Sequence, residues 1–269
     1  MKKLMFLAIT VLSIFLLSAC RSRVDDVLRV GMDLRYPPFE TIEDDEPQGI
    51  SVDVARAFGE YIGREVEIIN TQFGALIPAL NSGEIDIIIA SMSITEERAQ
   101  VVDFSEPYFF FKIISLVNQD FADANGITVD TTSDELLELD AQFVGIAAQV
   151  SASIPLSYGK DVIEAVDLNS AITEVAQGGA DILLMSSFPV TNGHRANRDT
   201  TMVVWDPFVS SPIGMAVAQG NTELLQQANE FIATMSEPGG LYDVLSEKWD
   251  AEIIALLERY GLEFFINEE

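Results

Sequence analysis

The chain has 269 residues, enough for one large or two modest domains with proper cores. Hydrophobic residues make up 48 % of it and no stretch is of low complexity, which argues against disorder. Forty-three acidic against 15 basic residues give a net charge of −28. That balance argues against a nucleic-acid partner, because phosphate binding needs clustered Lys and Arg, and it favours solubility through self-repulsion.

The N-terminus opens with Lys2 and Lys3, followed by an apolar run from Leu4 to Leu17 that is short for a membrane span. This is the layout of a secretory signal. It ends in Leu17-Ser18-Ala19-Cys20, which resembles the bacterial lipobox, where cleavage precedes a cysteine that receives lipid. Residues 1–19 therefore read as a lipoprotein signal peptide and 20–27 as a lipidated cysteine, palmitate-bearing, with a short polar tether. The alternative is an ordinary signal with an incidental cysteine. Cys20 is the single cysteine, so no disulfide forms within the chain. The globular part is expected outside the cytoplasm, anchored to a bacterial membrane without spanning it.

Beyond the tether, apolar runs of strand length alternate with helical patterns. "VLRVGM" reads as a strand. "SVDVARAFGEYIG" reads as an amphipathic helix with Ser51 as N-cap and Gly63 as stop. "EVEII" is a second strand, "ALIPALNSG" a short helix ended by Gly83, and "EIDIIIAS" a third strand. Thr95 caps a helix beginning "EER". This order is the mark of a parallel sheet with helices on its faces. A second series follows: "FVGIAA" and "DVIEAVD" as strands, "SAITEVAQGG" as a helix, "ADILLMS" as a strand. "KIISLVN" and "SPIGMAVA" join the two series as outgoing and returning strands. Three helices close the chain: "TELLQQANEFIATMSEPGG", "LYDVLSEKW" and "AEIIALLERYG". The expected division is a discontinuous first lobe, 28–111 with 209–269, and a second lobe, 112–208. Two crossovers would make a clamshell with a cleft at the carboxyl ends of the strands. Asp33, Ser91 and Ser186 all stand just after predicted strands.

Arg98 is the residue that needs an explanation. An arginine in the first turn of a helix opposes the helix dipole. Ser91 and Ser93 precede it on the strand-to-helix loop. Backbone N–H groups, hydroxyls and a guanidinium fork together suit a carboxylate or another planar oxyanion. A surface arginine paired with Glu96, Glu97 or Asp103 is the alternative that spacing leaves open.

The segments "LRVGMDLRYPPFE", "GISVDVARAFGEYIG", "FGALIPALNSGEIDIIIASMSITEERAQVVDFSEPYF" and "GLYDVLSEKW", ordered and well spaced, resemble the solute-binding proteins of ABC importers for polar amino acids, in lipoprotein form. The family includes glutamine-binding and lysine/arginine/ornithine-binding proteins. The resemblance implies an α/β fold of two Rossmann-like lobes on two hinge strands, the type II periplasmic-binding-protein plan. It implies a receptor, not an enzyme, that needs no cofactor and no metal, works as a monomer and delivers an amino acid or related carboxylate to a membrane permease. It also implies roles. Arg98 binds the solute's α-carboxylate, helped by Ser93. Ser91 accepts from its α-ammonium. Tyr36 and Phe73 sandwich its side chain, and Asp33 meets a polar or cationic end.

The second lobe departs from the family pattern. Gln149 and Val150 stand where a Gly-Thr pair is usual, leaving Ser151 and Ser153 to contribute. Ser186 stands where an aspartate usually binds the ammonium, and burying an ammonium without an opposing charge costs on the order of several kcal/mol. Either another acid supplies that charge, or the solute lacks an α-ammonium. The substitution also keeps an enzyme in view, a cyclohexadienyl (prephenate or arogenate) dehydratase-like protein on the same fold. A sensor without transport is a third reading. His194, the single histidine, lies in "TNGHRANR", which reads as turn-rich and without a catalytic or metal role. "IEDDEP" reads as a solvated turn.

Overall fold

The structure is a computed structural model, and it describes residues 27–146 and 149–268. The signal, Cys20 and the tether up to residue 26 lie outside the described residues.

The first sheet grows from β1 (Val27–Met32), an alternating strand whose buried side chains Leu28, Val30 and Met32 point into one core. A small hairpin follows, β2 (Thr41–Glu43) and β3 (Glu46–Gln48), with the acidic Asp44-Asp45 turn at its tip. Helix α1 (Ile50–Ile62) then crosses to β4 (Glu65–Asn70), which pairs with β1 in parallel. Helix α2 (Leu76–Ser82) crosses back to β5 (Ile87–Ile88), parallel to β1 on its other side. Parallel neighbours require such crossovers. Gly63 and Gly83 end the two helices in the left-handed conformation, as expected. The start of α1 differs from expectation. Gly49, not Ser51, is its N-cap, with φ 124°, and a Cβ there would lie 2.2 Å from the Phe39 carbonyl oxygen. Only glycine fits, and Ser51 is a fully buried residue of the first turn. Helix α3 (Glu96–Ala99) and the short β6 (Asp103–Phe104) complete this half.

The chain leaves through β7 (Phe109–Asn118), which already belongs to a second sheet. Four helices of this half were not among the expected elements: α4 (Gln119–Asn125), α5 (Ser133–Glu138), α6 (Val150–Ser157) and α8 (Ser187–Ala196). Between them run β8 (Phe143–Ile146), β9 (Val162–Ala165), α7 (Leu168–Ala176) and β10 (Ile182–Ser186). The sheet order is β11-β7-β10-β8-β9, with β8 parallel to β9 and β10, and β7 antiparallel to β10 and to the return strand β11 (Thr201–Ile213). The joining strands are longer than "KIISLVN" and "SPIGMAVA" suggested. They pair from Thr201↔Asn118 to Ile213↔Phe109, with an irregularity between Val204 and Val209. "SPIGMAVA" divides at Gly214. Its first part ends β11, and Ala216–Val217 forms β12, inserted between β5 and β6 of the first sheet. Three helices close the chain: α9 (Thr222–Met235), α10 (Leu241–Leu257) and α11 (Glu263–Ile266). Helix α10 is one helix where two were expected.

Two features tie the halves together. Phe39, Phe111, Phe188 and Phe265, each 5 % exposed or less, come from the β1–β2 loop, β7, α8 and α11 and pack as one aromatic cluster. Phe188 and Phe265 stack at 5.3 Å. At the end of the chain, Lys112 Nζ on β7 donates to Asn267 O at 2.9 Å and to Ser210 Oγ on β11 at 3.0 Å, while Ser210 donates to Glu268 O at 2.6 Å. The C-terminus thus straps the paired joining strands.

Candidate functional site

The site gathers at the carboxyl ends of β1, β5 and β10. The loop after β1 is shaped by its own amides: Tyr36 N–H donates to Glu40 O at 2.8 Å and Phe39 N–H to Tyr36 O at 3.0 Å. The first amides of α1 are satisfied by the same loop, Ile50 N–H on Pro38 O and Ser51 N–H on Phe39 O. Tyr36 is therefore fixed by the backbone. Its ring stacks on Phe39 at 6.1 Å and Phe111 at 6.2 Å, and its hydroxyl hydrogen-bonds Ser186 Oγ at 2.8 Å. Burial raises its pKa well above the ordinary phenol value, so it is a neutral donor-acceptor. The Tyr36–Ser186 bond joins the β1 end of the first sheet to the β10 end of the second.

Asp33 is held on three sides. Arg35 clamps it in bidentate fashion, Nε to Oδ1 and Nη2 to Oδ2, both at 2.6 Å. Phe73 N–H donates to Oδ2 at 2.8 Å. The Arg35 hydrogen bonds chiefly hold its carboxyl below the ordinary range, against the opposing effect of burial. Phe73 opens a short 3-10 turn and is 37 % exposed. The Arg98 guanidinium carbon lies 5.3 Å from its ring centroid, in cation–π geometry. Thr95 caps α3 by accepting the Arg98 N–H at 3.3 Å, as expected, and Arg98 Nη1 donates to Ser93 O at 2.8 Å. Among the described residues no carboxylate lies within 4.0 Å of Arg98, so the expected alternative of a surface ion pair with Glu96, Glu97 or Asp103 is not formed. Burial lowers its pKa, and Glu97 pulls the other way.

Ser91 has φ 51°, a strained backbone for a residue with a Cβ, and donates its Oγ proton to Glu40 Oε1 at 2.7 Å. Glu40 is 1 % exposed, and burial pushes its pKa up to about 8 against the hydrogen bonds it accepts. Ser93 Oγ accepts from Ser211 Oγ at 2.8 Å, and Ile94 N–H donates to Pro212 O. This fastens the Arg98 loop to the return strand β11.

The structure thus links Asp33, Phe73, Arg98 and Ser93 in one chain of contacts, and Ser91, Glu40, Tyr36 and Ser186 in another. No ring contact joins Tyr36 to Phe73 among the described residues, so the two aromatics stand apart. Ser151 does not take its expected place. It is fully buried, and its Oγ accepts the Ile146 N–H at 3.0 Å inside the β8–α6 turn. Ser153 is exposed on α6. His194 lies in the last turn of α8, not in a turn-rich loop, and bonds Thr201 Oγ1 through Nδ1 at 3.1 Å. Sequence reasoning missed three neighbours: Arg35, Glu40 and Ser211. The signal for Arg35 was its place in "DLRYPPFE", two residues after Asp33. Ser211 carries none, being 118 residues from its partner. A recess of about 500 Å³ opens beside the cluster, lined by Arg35, Tyr36, Pro37, Phe188 and Asn192 among others; Arg98, Ser91 and Ser93 are not part of its lining.

The family model for bacterial extracellular solute-binding proteins, family 3, matches residues 28–252. The L-cystine-binding protein TcyJ of Escherichia coli (strain K12) is 30 % identical over 226 residues, which is 82 % of this chain and 82 % of that protein. Among solved structures, the ancestral amino acid-binding protein AncCDT-1, described as a precursor of cyclohexadienyl dehydratase, matches with a TM-score of 0.66 at 30 % identity, over 83 % of this chain and 95 % of that one. An ancestral arginine-binding protein bound to arginine matches with a TM-score of 0.65 at 29 % identity, over 84 % and 99 %. The fold is accordingly the type II periplasmic-binding-protein fold. No helix among the described residues is long and apolar enough to cross a membrane.

Proposed function

The chain belongs to the bacterial extracellular solute-binding proteins of family 3, and on that premise we propose that it is the receptor of an ABC importer, a monomer that captures a small carboxylate-bearing solute and hands it to a membrane permease. The observation that carries the solute class is Arg98: a half-buried guanidinium, aligned by Ser93 O and the Phe73 ring, with no acidic partner within 4.0 Å among the described residues. A partly buried charge of this kind is stabilised by an opposite charge brought from outside, and a guanidinium fork matches a carboxylate. The relatives named for cystine and arginine support an amino acid or a close analogue as that solute. Ser91, Ser93, Tyr36 and Phe73 complete the first contact surface, and Ser186 approaches from the second sheet.

In this reading 28–111 with 209–269 and 112–208 are the two lobes. The solute binds Arg98 and the aromatics first, the second lobe swings over it on β7 and β11, and contacts on both sides favour the closed state. Cys20 carries lipid, which holds the receptor outside the cytoplasm at a bacterial membrane and keeps it near its permease. The protein performs no chemistry on the solute. The enzyme reading has one observation in its favour, the buried Glu40 held protonated up to about pH 8, but Glu40 stands behind Ser91 and is 1 % exposed. A thermal-shift panel of amino acids, betaines, dicarboxylates and aromatic acids tests the receptor reading, because a solute that binds only the folded state raises Tm. Carboxylates that raise Tm unchanged support it. Turnover of prephenate or arogenate by the purified protein would replace it with the enzyme.

A further inference from the structure

The receptor reading leaves the charge of the solute's far end open, and the mouth of the site supplies it. In the resemblance Asp33 meets a polar or cationic end. Here both carboxylate oxygens of Asp33 are engaged before any solute arrives, by the Arg35 fork at 2.6 Å on each oxygen and by the Phe73 amide at 2.8 Å. Arg35 is two-thirds exposed and also lines the recess beside the cluster. Arg35 therefore presents a guanidinium at this edge of the site, with the aspartate behind it.

The other acids of the region do not restore a negative charge. Glu40 is 1 % exposed, occupied by the Ser91 hydroxyl and kept mostly neutral at pH 7 by burial. Position 186 is a serine whose hydroxyl is bonded to Tyr36. Glu97 is exposed and forms no ion pair with Arg98. Arg35 and Asp33 cancel, and the positive charge of Arg98 is offset among these groups only by the exposed Glu97, which acts on it without forming an ion pair. The low-dielectric surroundings of a closed site make such an imbalance count for more than it would in water.

We propose that the solute is a net anion, and that Arg35 is the specificity-determining residue that turns this site away from basic solutes. The proposal rests on the carboxylate-receptor reading above. A basic solute has to displace Arg35 from Asp33 or sit beside it as a like charge. Arg35 is exposed at the mouth while Asp33 behind it is mostly covered, and solvent screening of the arginine makes discrimination on the order of tenfold the appropriate scale.

The test is isothermal titration of the purified protein with L-glutamate, L-glutamine, L-lysine, L-arginine and the amine-free acids glutarate and butyrate, repeated on Arg35→Ala, Arg35→Lys and Arg98→Ala. The expected result is tighter binding of the anions than of glutamine, with lysine and arginine weakest by about tenfold or more. Arg35→Ala bares Asp33, so basic solutes gain about tenfold while anions lose, and Arg35→Lys keeps the wild-type order. Arg98→Ala weakens every class. Wild-type protein that binds lysine or arginine as tightly as the anions overturns the proposal and leaves the receptor reading standing, and so does an unchanged order in Arg35→Ala. Absence of binding by any carboxylate overturns the carboxylate-receptor reading and this proposal with it, and binding unaffected by Arg98→Ala overturns the proposal by placing recognition away from this site.

Discussion

The two sheets present unlike surfaces to the site. On the first sheet the candidate side chains are held in place by neighbours: Arg98 by Ser93 O and Phe73, Ser93 by Ser211, Asp33 by Arg35 and the Phe73 amide, Tyr36 by its loop and by Phe39. On the second sheet the candidate polar groups are already engaged. Ser151 serves the Ile146 amide, and Ser186 offers one hydroxyl, already bonded to Tyr36. In the proposed receptor, recognition is pre-organised on the first side and the second contributes closure. Pre-organised donors avoid the ordering cost that loose side chains incur on binding.

The sharpest way to break this division is through the aromatic cluster that both halves share. Phe265 is 1 % exposed and touches Phe39, Phe111 and Phe188. Phe265→Ala is expected to cost about 3–5 kcal/mol of stability, read by denaturant unfolding. Loss confined to one half, seen as two separated transitions, would mean that the halves are not coupled through this cluster. A second, smaller effect concerns Glu40. Its carboxyl is raised from 4.5 to about 8, so the folded state holds a proton that the unfolded chain releases between those values. Stability is therefore greatest below about pH 4.5 as far as this group goes, and falls as pH rises toward 8, by a few kcal/mol at most at about 1.4 kcal/mol per pKa unit. Glu40→Gln should flatten that slope, with its Tm gaining on wild type as pH rises. Parallel Tm curves from pH 4.5 to 8 would mean that Glu40 is not held protonated.

Smaller again is the contrast between two serines. Ser151→Ala leaves the buried Ile146 amide without its partner and is expected to cost about 1–3 kcal/mol of stability while solute affinity stays unchanged. Ser93→Ala is expected to reverse that pattern, with weaker binding and little effect on Tm. The smallest change is Tyr36→Phe, which removes only the bond across to Ser186. About 0.5–1.5 kcal/mol of the preference for the joined arrangement should be lost, visible as a faster solute off-rate.

The sequence was most readable where the local signal and the structure agree. Parallel β1, β4 and β5, the αL glycines 63 and 83 and the Thr95 cap all carry their reasons in neighbouring residues. The second half was less readable, for physical reasons. Helix α8 contains Pro189, Asn192 and Gly193, which read as a turn, yet Gly193 is where Ile172 packs so closely that a Cβ would sit 3.0 Å from its Cδ1. Helix α6 carries Pro155 and no apolar stripe. Helix α5 did announce itself, through the Thr132–Glu135 capping box, and that signal was missed. At the candidate site, the places of Arg98 just after the Thr95 cap and of Tyr36 in the loop after β1 were legible from type and order. The Asp33–Arg35 pair was adjacent in sequence, but its geometry was not, and the bonds of Ser93 to Ser211 and of Glu40 to Ser91 depend on tertiary placement alone.

The central claim is that Arg98 holds the solute's carboxylate. The measurement that tests it most directly is a titration of wild type and Arg98→Ala with the carboxylate that gives the largest thermal shift on wild type. Loss of about 2–5 kcal/mol of binding free energy, with folding intact by circular dichroism, is the predicted result. Equal affinity in the two proteins would contradict the account and place the recognition site elsewhere in the molecule.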